Sequence, residues 1–139
     1  PSELVDGKLG DLIRQLAAII ANRTGLGISV RVESQDPLPP DVQVVLYRVT
    51  QEALNNVALH ASATQVEIYF SSQSGRVELS IQDDGRGFDP ELIELGHLGL
   101  SIMNDRIQGI GGSIETISQK KNGTLIKVSW DRPPDPQVL

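Results

Sequence analysis

Apolar residues recur at intervals of three and four positions in three stretches of the chain, and this spacing predicts three amphipathic helices. The first stretch covers residues 3 to 22, the second about 41 to 60 and the third about 99 to 109. Gly25 is expected to end the first helix, and Pro40 is suited to the first turn of the second. The second helix has the most regular apolar stripe, which consists of Val42, Val45, Leu46, Val49, Ala53, Leu54 and Val57.

Five shorter stretches alternate apolar and polar residues, which predicts five β-strands. The first covers residues 28 to 34, and the next two form a hairpin on either side of a polar turn at residues 71 to 75. The last two strands, about 113 to 119 and 124 to 130, are joined at Lys120-Lys121-Asn122-Gly123, in which Asn-Gly is a strong hairpin turn signal. The predicted fold is an α+β two-layer sandwich, in which three helices cover one face of a mixed, mostly antiparallel sheet of about five strands.

Size and charge restrict the classes of partner. The 139 residues favour one domain, which we take as residues 1–132, followed by a Pro-rich tail at 133–139. The net charge of -6 and a pI near 4.8 disfavour nucleic acid and direct contact with an anionic membrane. No stretch approaches the ~18 apolar residues of a membrane span, and the absence of Cys fits a cytoplasmic location. The chain starts at Pro1 without Met, so we expect a fragment of a longer protein that is monomeric by itself.

The segment Asp83-Asp84-Gly85-Arg86-Gly87-Phe88 directly follows the strand that contains Val77, Leu79 and Ile81. Asp-Gly after a strand is an ordinary turn signal. Glycine also lets a ligand approach the backbone, and a carboxylate can accept hydrogen bonds from the N–H groups of a ligand. By itself, the segment is compatible with a simple turn and with a binding site.

Two other stretches contain candidate functional residues. Glu52 and Asn56 are four residues apart and share one face of the second predicted helix. They form either a solvated helix edge, or an amide oxygen that binds Mg²⁺ beside a carboxylate that orients a water. The segment Gly96-His97-Leu98-Gly99-Leu100 leads into the third helix, where it forms either a loop or an anion site made of N–H groups. The sequence has no GxxxxGK phosphate loop and no strand-linked GxGxxG motif.

Taken in order, these stretches resemble the GHKL ATPase superfamily and, within it, the catalytic ATP-binding domain of a two-component sensor histidine kinase. Residues 51–61, QEALNNVALHA, are similar to the N box of that family, and residues 83–88, DDGRGF, are similar to its G1 box. Residues 96–106, GHLGLSIMNDR, resemble the G2 box in the form that is typical of kinases with NarL-type regulators. The resemblance covers roughly residues 9 to 132.

The resemblance implies an adenine site around the end of the hairpin. Asp83 would accept a hydrogen bond from the amino group of adenine, and Thr124 would support the pocket beside it. Gly85 and Gly87 would let the backbone pass close to the base and the ribose. Asp84 is expected to be a more exposed neighbour.

The resemblance also implies a phosphate site. Asn56 would coordinate the Mg²⁺ that bridges the phosphates, and Glu52 would lie beside the waters of the metal or the γ-phosphate. Gly99 and Leu100 would offer backbone N–H groups to the phosphates. Residues 88 to 98 would form a lid over ATP.

The implied reaction transfers the γ-phosphate of Mg·ATP to a His on a separate dimerisation domain of the same parent protein, which can be membrane-anchored. That domain would then phosphorylate a NarL-type response regulator. His60 and His97 do not lie in a His-Asp or His-Glu phosphoacceptor motif, so the dimerisation domain is expected to be absent from this chain.

One position departs from the family pattern. Leu59 stands where the family often has a Lys or Arg that reaches the phosphates, and His60 or Arg106 are the candidates to replace that contact. Two alternatives therefore stay open: an anti-sigma-factor serine kinase of the same fold, and a nucleotide-sensing module without phosphotransfer.

Overall fold

The fold is described from a computed structural model, which covers residues 3–60, 62–87, 98–118 and 121–134. Four helices and five strands lie in these ranges. In chain order they are α1 (Glu3–Asp6), α2 (Leu9–Thr24), β1 (Gly27–Gln35), α3 (Pro40–His60), β2 (Gln65–Gln73), β3 (Arg76–Asp83), α4 (Leu98–Gly109), β4 (Ser113–Ser118) and β5 (Thr124–Asp131).

The five strands form one sheet in the order β1-β2-β3-β5-β4. β1 and β2 are parallel because α3 returns the chain to the end of the sheet where β1 began. The three other pairs are antiparallel. The predicted mixed, mostly antiparallel sheet is therefore confirmed.

The core lies between the helices and one face of this sheet. Alternate residues of β2, β3 and β5 are buried, among them Phe70, Leu79 and Trp130. They pack with the buried faces of α2, α3 and α4 in a single apolar cluster. The other face of β2 and β3 carries exposed residues such as Glu67 and Glu78. This is the predicted two-layer arrangement. Across the described residues, no helix has the length and apolar character that a membrane span requires.

The first predicted helix is wrong in one respect, because residues 3 to 22 do not form a continuous helix. The chain breaks between α1 and α2, and Lys8 adopts an extended conformation with φ −81° and ψ 136°. The amide of Gln43 in α3 donates to the carbonyl oxygens of Leu4 (2.8 Å) and Gly7 (2.6 Å), which stabilises the break. A Gly in this place also weakens helix propagation. The predicted end of the helix is confirmed, since Gly25 has a φ of +82° and its N–H donates to the carbonyl of Ala21.

The two predicted hairpins are confirmed, but the turn of the first is shorter than expected. β2 and β3 extend further than the apolar alternation indicates and leave only Ser74 and Gly75, with φ of +53° and +80°, as the turn. In the second hairpin the last pair is Ser118 with Thr124, and positive φ occurs at Lys121 and Gly123. Asn122 and Gly123 thus lie in the connection between the two strands, as predicted.

Candidate functional site

The sheet topology brings the candidate residues to one end of the molecule. Asp83 is the last residue of β3, and it pairs with Val66 near the start of β2 and with Thr124 at the start of β5. α3 ends just before β2 begins, so its last turns lie at this end as well. α4 starts here too, because it leads to Ser113 of β4 at the opposite end of the sheet, where Ser113 pairs with Ser129.

Asp83 is a buried carboxylate, with only 7% of its surface exposed. Its Oδ1 accepts a hydrogen bond of 2.8 Å from the N–H of Gly85. Burial raises the pKa of Asp83, whereas backbone hydrogen bonds from Gly85 and Thr124 oppose the rise and the nearby charge of Asp84 adds to it. A charge that is costly to bury and only partly compensated is typical of functional sites.

Gly123 packs directly against Asp83. It has a φ of +76°, and a Cβ built on it would come within 2.1 Å of the carbonyl oxygen of Asp83. Only glycine fits, for reasons of conformation and of space. The hydroxyl of Thr124 lies 2.8 Å from that of Ser118, which fixes both side chains at the same edge. The N–H of Lys121 donates to the carbonyl of Arg86, so the loop before β5 also holds the segment after Asp83.

The glycines after Asp83 form a tight exit from the strand. Gly85 is buried and bonds back to Asp83, and Gly87 has a φ of +62°, a conformation that favours glycine. Residues 88–97 of the predicted lid, which include Gly96 and His97, lie outside the described residues.

Glu52, Asn56 and Gly99 come together between α3 and α4. A Cβ built on Gly99 would lie 2.4 Å from Oε1 of Glu52 and 3.0 Å from Nδ2 of Asn56. The absence of a side chain at Gly99 thus lets the first turn of α4 pass close to both polar groups. The N–H groups of this turn, including those of Gly99 and Leu100, have no acceptor within their own helix. The arrangement combines helix N–H donors, an amide oxygen and a carboxylate.

Other predicted residues are less closely tied to this arrangement. Leu59 is 74% exposed, and it shares a face of α3 with Glu52 and Asn56 because it follows them by seven and three residues. Arg106 is exposed on α4. His60 ends α3, and its side chain lies outside the described residues.

The described residues contain no group of three or more His, Asp and Glu side chains that could hold an ion. Mg²⁺ is often bound by one or two protein oxygens together with phosphates and waters. The amide oxygen of Asn56, which lies close to Gly99 in the first turn of α4, fits this kind of site.

Asp84 is the residue that the sequence prediction underestimated. It is exposed, as expected, but its Oδ1 accepts from the N–H groups of Thr64 (2.8 Å) and Gln65 (2.9 Å), and its Oδ2 accepts from the hydroxyl of Thr64 (2.7 Å). Hydrogen bonds from Gln65 and Thr64 lower the pKa of Asp84. The two adjacent carboxylates thus have opposite surroundings. No local pattern indicates this, because the donors lie about twenty residues earlier in the chain.

Comparison with known proteins accounts for this combination of fold and polar groups. A family model described as "Histidine kinase-, DNA gyrase B-, and HSP90-like ATPase" matches residues 41–134. The chain belongs to this ATPase family. The match includes all the candidate residues in α3, β3, α4 and β5.

Relatives of this ATPase domain are sensor kinases. The chain is 33% identical over 102 residues to the sensor histidine kinase LiaS of Bacillus subtilis. The aligned segment covers 73% of this chain and 28% of LiaS. The chain is also 33% identical over 130 residues to the sensor protein VraS of Staphylococcus haemolyticus. This aligned segment covers 92% of this chain and 36% of VraS. The chain thus spans only about a third of the length of these relatives.

A solved structure supports the fold assignment of the ATPase domain. The histidine kinase domain of a blue-light activated histidine kinase from Erythrobacter litoralis superposes with a TM-score of 0.74. The superposition covers 89% of this chain and 61% of the other, at 22% identity. This likeness shows a shared fold, and the relatives that match most of the chain in sequence are sensor proteins by name.

The buried charge of Asp83 leads to a prediction about stability. Because its pKa is raised in the folded state, stability falls as pH rises from the ordinary value of 3.8 through the folded pKa. At pH 7 the ionised form therefore destabilises the free protein. Asp83→Asn keeps an acceptor for Gly85 and removes the charge, so it should raise the free energy of unfolding by about 1 kcal/mol. Thermal unfolding without nucleotide at pH 7 and at pH 3 measures this, and the gain should shrink at pH 3. A destabilised variant at pH 7 would contradict the assignment.

Proposed function

We propose that this domain binds Mg·ATP and serves as the catalytic domain of a sensor histidine kinase, which transfers the γ-phosphate to a His on a separate dimerisation domain. The observation that supports this most is the close approach of Gly99 to Glu52 and Asn56, at the same end of the sheet as the buried Asp83. It brings helix N–H donors, an amide oxygen and a carboxylate together, and this supports a phosphate and metal site at the end of the sheet where Asp83 lies.

The Asp83 carboxylate is the proposed adenine reader. A carboxylate offers about four lone-pair positions, and the N–H of Gly85 uses one of them on Oδ1. The amino group of adenine is a donor and can bind another, whereas guanine has a carbonyl oxygen at the same ring position. A buried acceptor that meets an acceptor is left unpaired, which makes Asp83 selective for adenine. Thr124 supports the same pocket, and Gly85 and Gly87 let the backbone pass close to the base and the ribose.

The phosphates are proposed to lie against the first turn of α4. Gly99 and Leu100 belong to this first turn, and the free N–H groups of a helix N-terminus stabilise an anion. Asn56 would supply one oxygen to Mg²⁺, and Glu52 would lie one turn away on the same face of α3. When bound, the metal neutralises phosphate charge and orients the chain of phosphates.

In the proposed transfer, the bond between the γ-phosphorus and the β–γ bridging oxygen of ATP breaks, and a bond from a His nitrogen to phosphorus forms. The products are phosphohistidine and ADP, and the imidazole loses one proton. Glu52 is the described carboxylate that can accept this proton or orient the imidazole. Positioning and charge stabilisation supply most of the rate enhancement in such reactions.

The proposed partners follow from this chemistry. The receiving His belongs to a dimerisation domain of the same parent protein, and a response regulator of the NarL type receives the phosphate next. The domain acts on the cytoplasmic side, where ATP is available, and the isolated chain is monomeric. The names of the relatives favour a histidine kinase over a serine kinase of the same fold.

The Asp83→Asn variant tests nucleotide recognition. It should weaken Mg·ATP binding by about 1.5–3 kcal/mol, the usual contribution of a hydrogen bond to a charged group. Isothermal titration with ATP and GTP at pH 7.5 measures the change, and the preference for ATP should decrease. Equal affinity of the variant and the unmodified domain would show that Asp83 does not read adenine. No binding by the unmodified domain at millimolar ATP would refute the proposed function itself.

Gly99→Ala tests the phosphate site, and Gly109→Ala is its matched control on the same helix. The new Cβ at position 99 displaces the Glu52 carboxylate, whereas nothing lies within 4 Å of a Cβ at position 109. Gly99→Ala should reduce Mg·ATP affinity at least tenfold and leave the melting temperature equal or higher, since Ala favours a helix. Gly109→Ala should bind nucleotide normally. A Gly99→Ala domain with normal affinity would remove Glu52 and Asn56 from the phosphate site.

A second candidate function is nucleotide sensing without phosphotransfer, and the exposed Leu59 on the face of Glu52 and Asn56 favours it. Incubation with [γ-³²P]ATP and a helical dimerisation domain from a relative distinguishes the two. We expect slow labelling of the His, and faster labelling by Leu59→Lys, because a cation near the phosphates adds charge stabilisation. If neither protein labels the His while both bind Mg·ATP, the sensing module is the better description.

A further inference from the structure

Directly after its last paired residue, β3 is held to the start of β2 by a second set of hydrogen bonds. β3 pairs on both sides up to Asp83 and ends there. The next residue, Asp84, continues the attachment to β2 in a different way. Its own N–H donates to the carbonyl of Gln65 at 3.2 Å, and its carboxylate accepts the three hydrogen bonds from Thr64 and Gln65.

Thr64 and Gln65 are the residues through which the chain enters the sheet after α3. Gln65 starts β2, and the carbonyl of Thr64 accepts from the N–H of Gly27 at the start of β1. Asp84 therefore joins the exit of β3 to the entry of β1 and β2. All three ends lie beside Asp83.

This attachment bears on Asp83 because the neighbouring backbone carries its hydrogen bond. The N–H of Gly85, one residue beyond Asp84, donates to Oδ1 of Asp83. If Asp84 is free to move, Gly85 moves with it and the carboxylate of Asp83 loses one of the two backbone donors, Gly85 and Thr124, that orient it. The chain on the other side of Asp83 is already fixed by Thr124 and Gly123.

We propose that Asp84 is a positioning residue for adenine recognition: it holds the turn after β3 so that Gly85 orients the Asp83 carboxylate toward the base. The proposal rests on the proposed function for its adenine part. The claim about Gly85 and Asp83 does not depend on nucleotide.

Two variants separate geometry from charge. Asp84→Ala removes all three carboxylate hydrogen bonds. Asp84→Asn keeps the two bonds at Oδ1, and its amide can donate to the Thr64 hydroxyl, which can accept as well as donate. Glu67→Ala is the control, because it removes an exposed carboxylate from the open face of the sheet.

The first measurement uses the free domain and amide hydrogen exchange followed by NMR. Asp84→Ala should speed exchange of the Gly85 N–H at least tenfold, while Asp84→Asn and Glu67→Ala should leave it unchanged. Unchanged exchange in Asp84→Ala would overturn the positioning claim, whatever the domain binds.

The second measurement uses titration with Mg·ATP and Mg·GTP. Asp84→Ala should lower ATP affinity about tenfold, within the range of coupling between neighbouring residues, and should lower the ratio of ATP to GTP affinity. Asp84→Asn should stay within about threefold of the unmodified domain. In an Asp83→Asn background, Asp84→Ala should have less than a twofold further effect on ATP affinity.

The outcomes separate this proposal from the proposed function. Equal losses for ATP and GTP, or additive losses in the double variant, would mean that Asp84 only stabilises the fold, and the adenine part would be overturned. If the unmodified domain binds no ATP, the proposed function and the adenine part both fail, and Gly85 exchange still decides the positioning claim.

Discussion

The position of the site depends on hydrogen-bond pairing along the central strand β3. It is paired on both sides over its whole length, to β2 and to β5, and both ladders end at Asp83. A carboxylate at the end of such a strand cannot move without breaking pairs in two directions. The buried charge is therefore held by the sheet itself. The last turns of α3 and the first turn of α4 lie at the same end, because the connections of these helices lead to strands of the sheet. Sheet order thus places Asp83 at the same end of the molecule as Glu52, Asn56 and Gly99.

Much of this arrangement is predictable from the sequence because it depends on local patterns. The apolar stripe of α3 and the alternation in β2 and β3 identify the elements, and the Asp-x-Gly-x-Gly segment marks the end of the strand. The break at Gly7 is not predictable in this way, since it depends on Gln43, which lies thirty-six residues away. The bonds of Asp84 to Thr64 and Gln65 are missed for the same reason. These hydrogen bonds join segments that are distant in the sequence, so the spacing of neighbouring residues does not predict them.

The two adjacent aspartates have opposite surroundings and opposite effects on the stability of one short segment. Burial raises the pKa of Asp83, which costs folding free energy, while three donors lower the pKa of Asp84. A residue that binds a ligand well is often poorly satisfied in its absence. Its neighbour is fully engaged within the protein. The local cost at one position is thus accompanied by a compensating interaction at the next, and the turn stays ordered around a carboxylate that keeps unused acceptor capacity.

The attachment of α1 through Gln43 has a mechanical consequence. One side-chain amide holds the carbonyls of Leu4 and Gly7, near the two ends of that short helix, to a single point on α3. A pull on the chain ahead of Glu3 would reach α3 at Gln43 before it reached any strand. Glu52 lies on the same helix, nine residues or about 13 Å further along its axis. The amino-terminal segment is thus joined through a single side chain to the helix that carries Glu52 and Asn56.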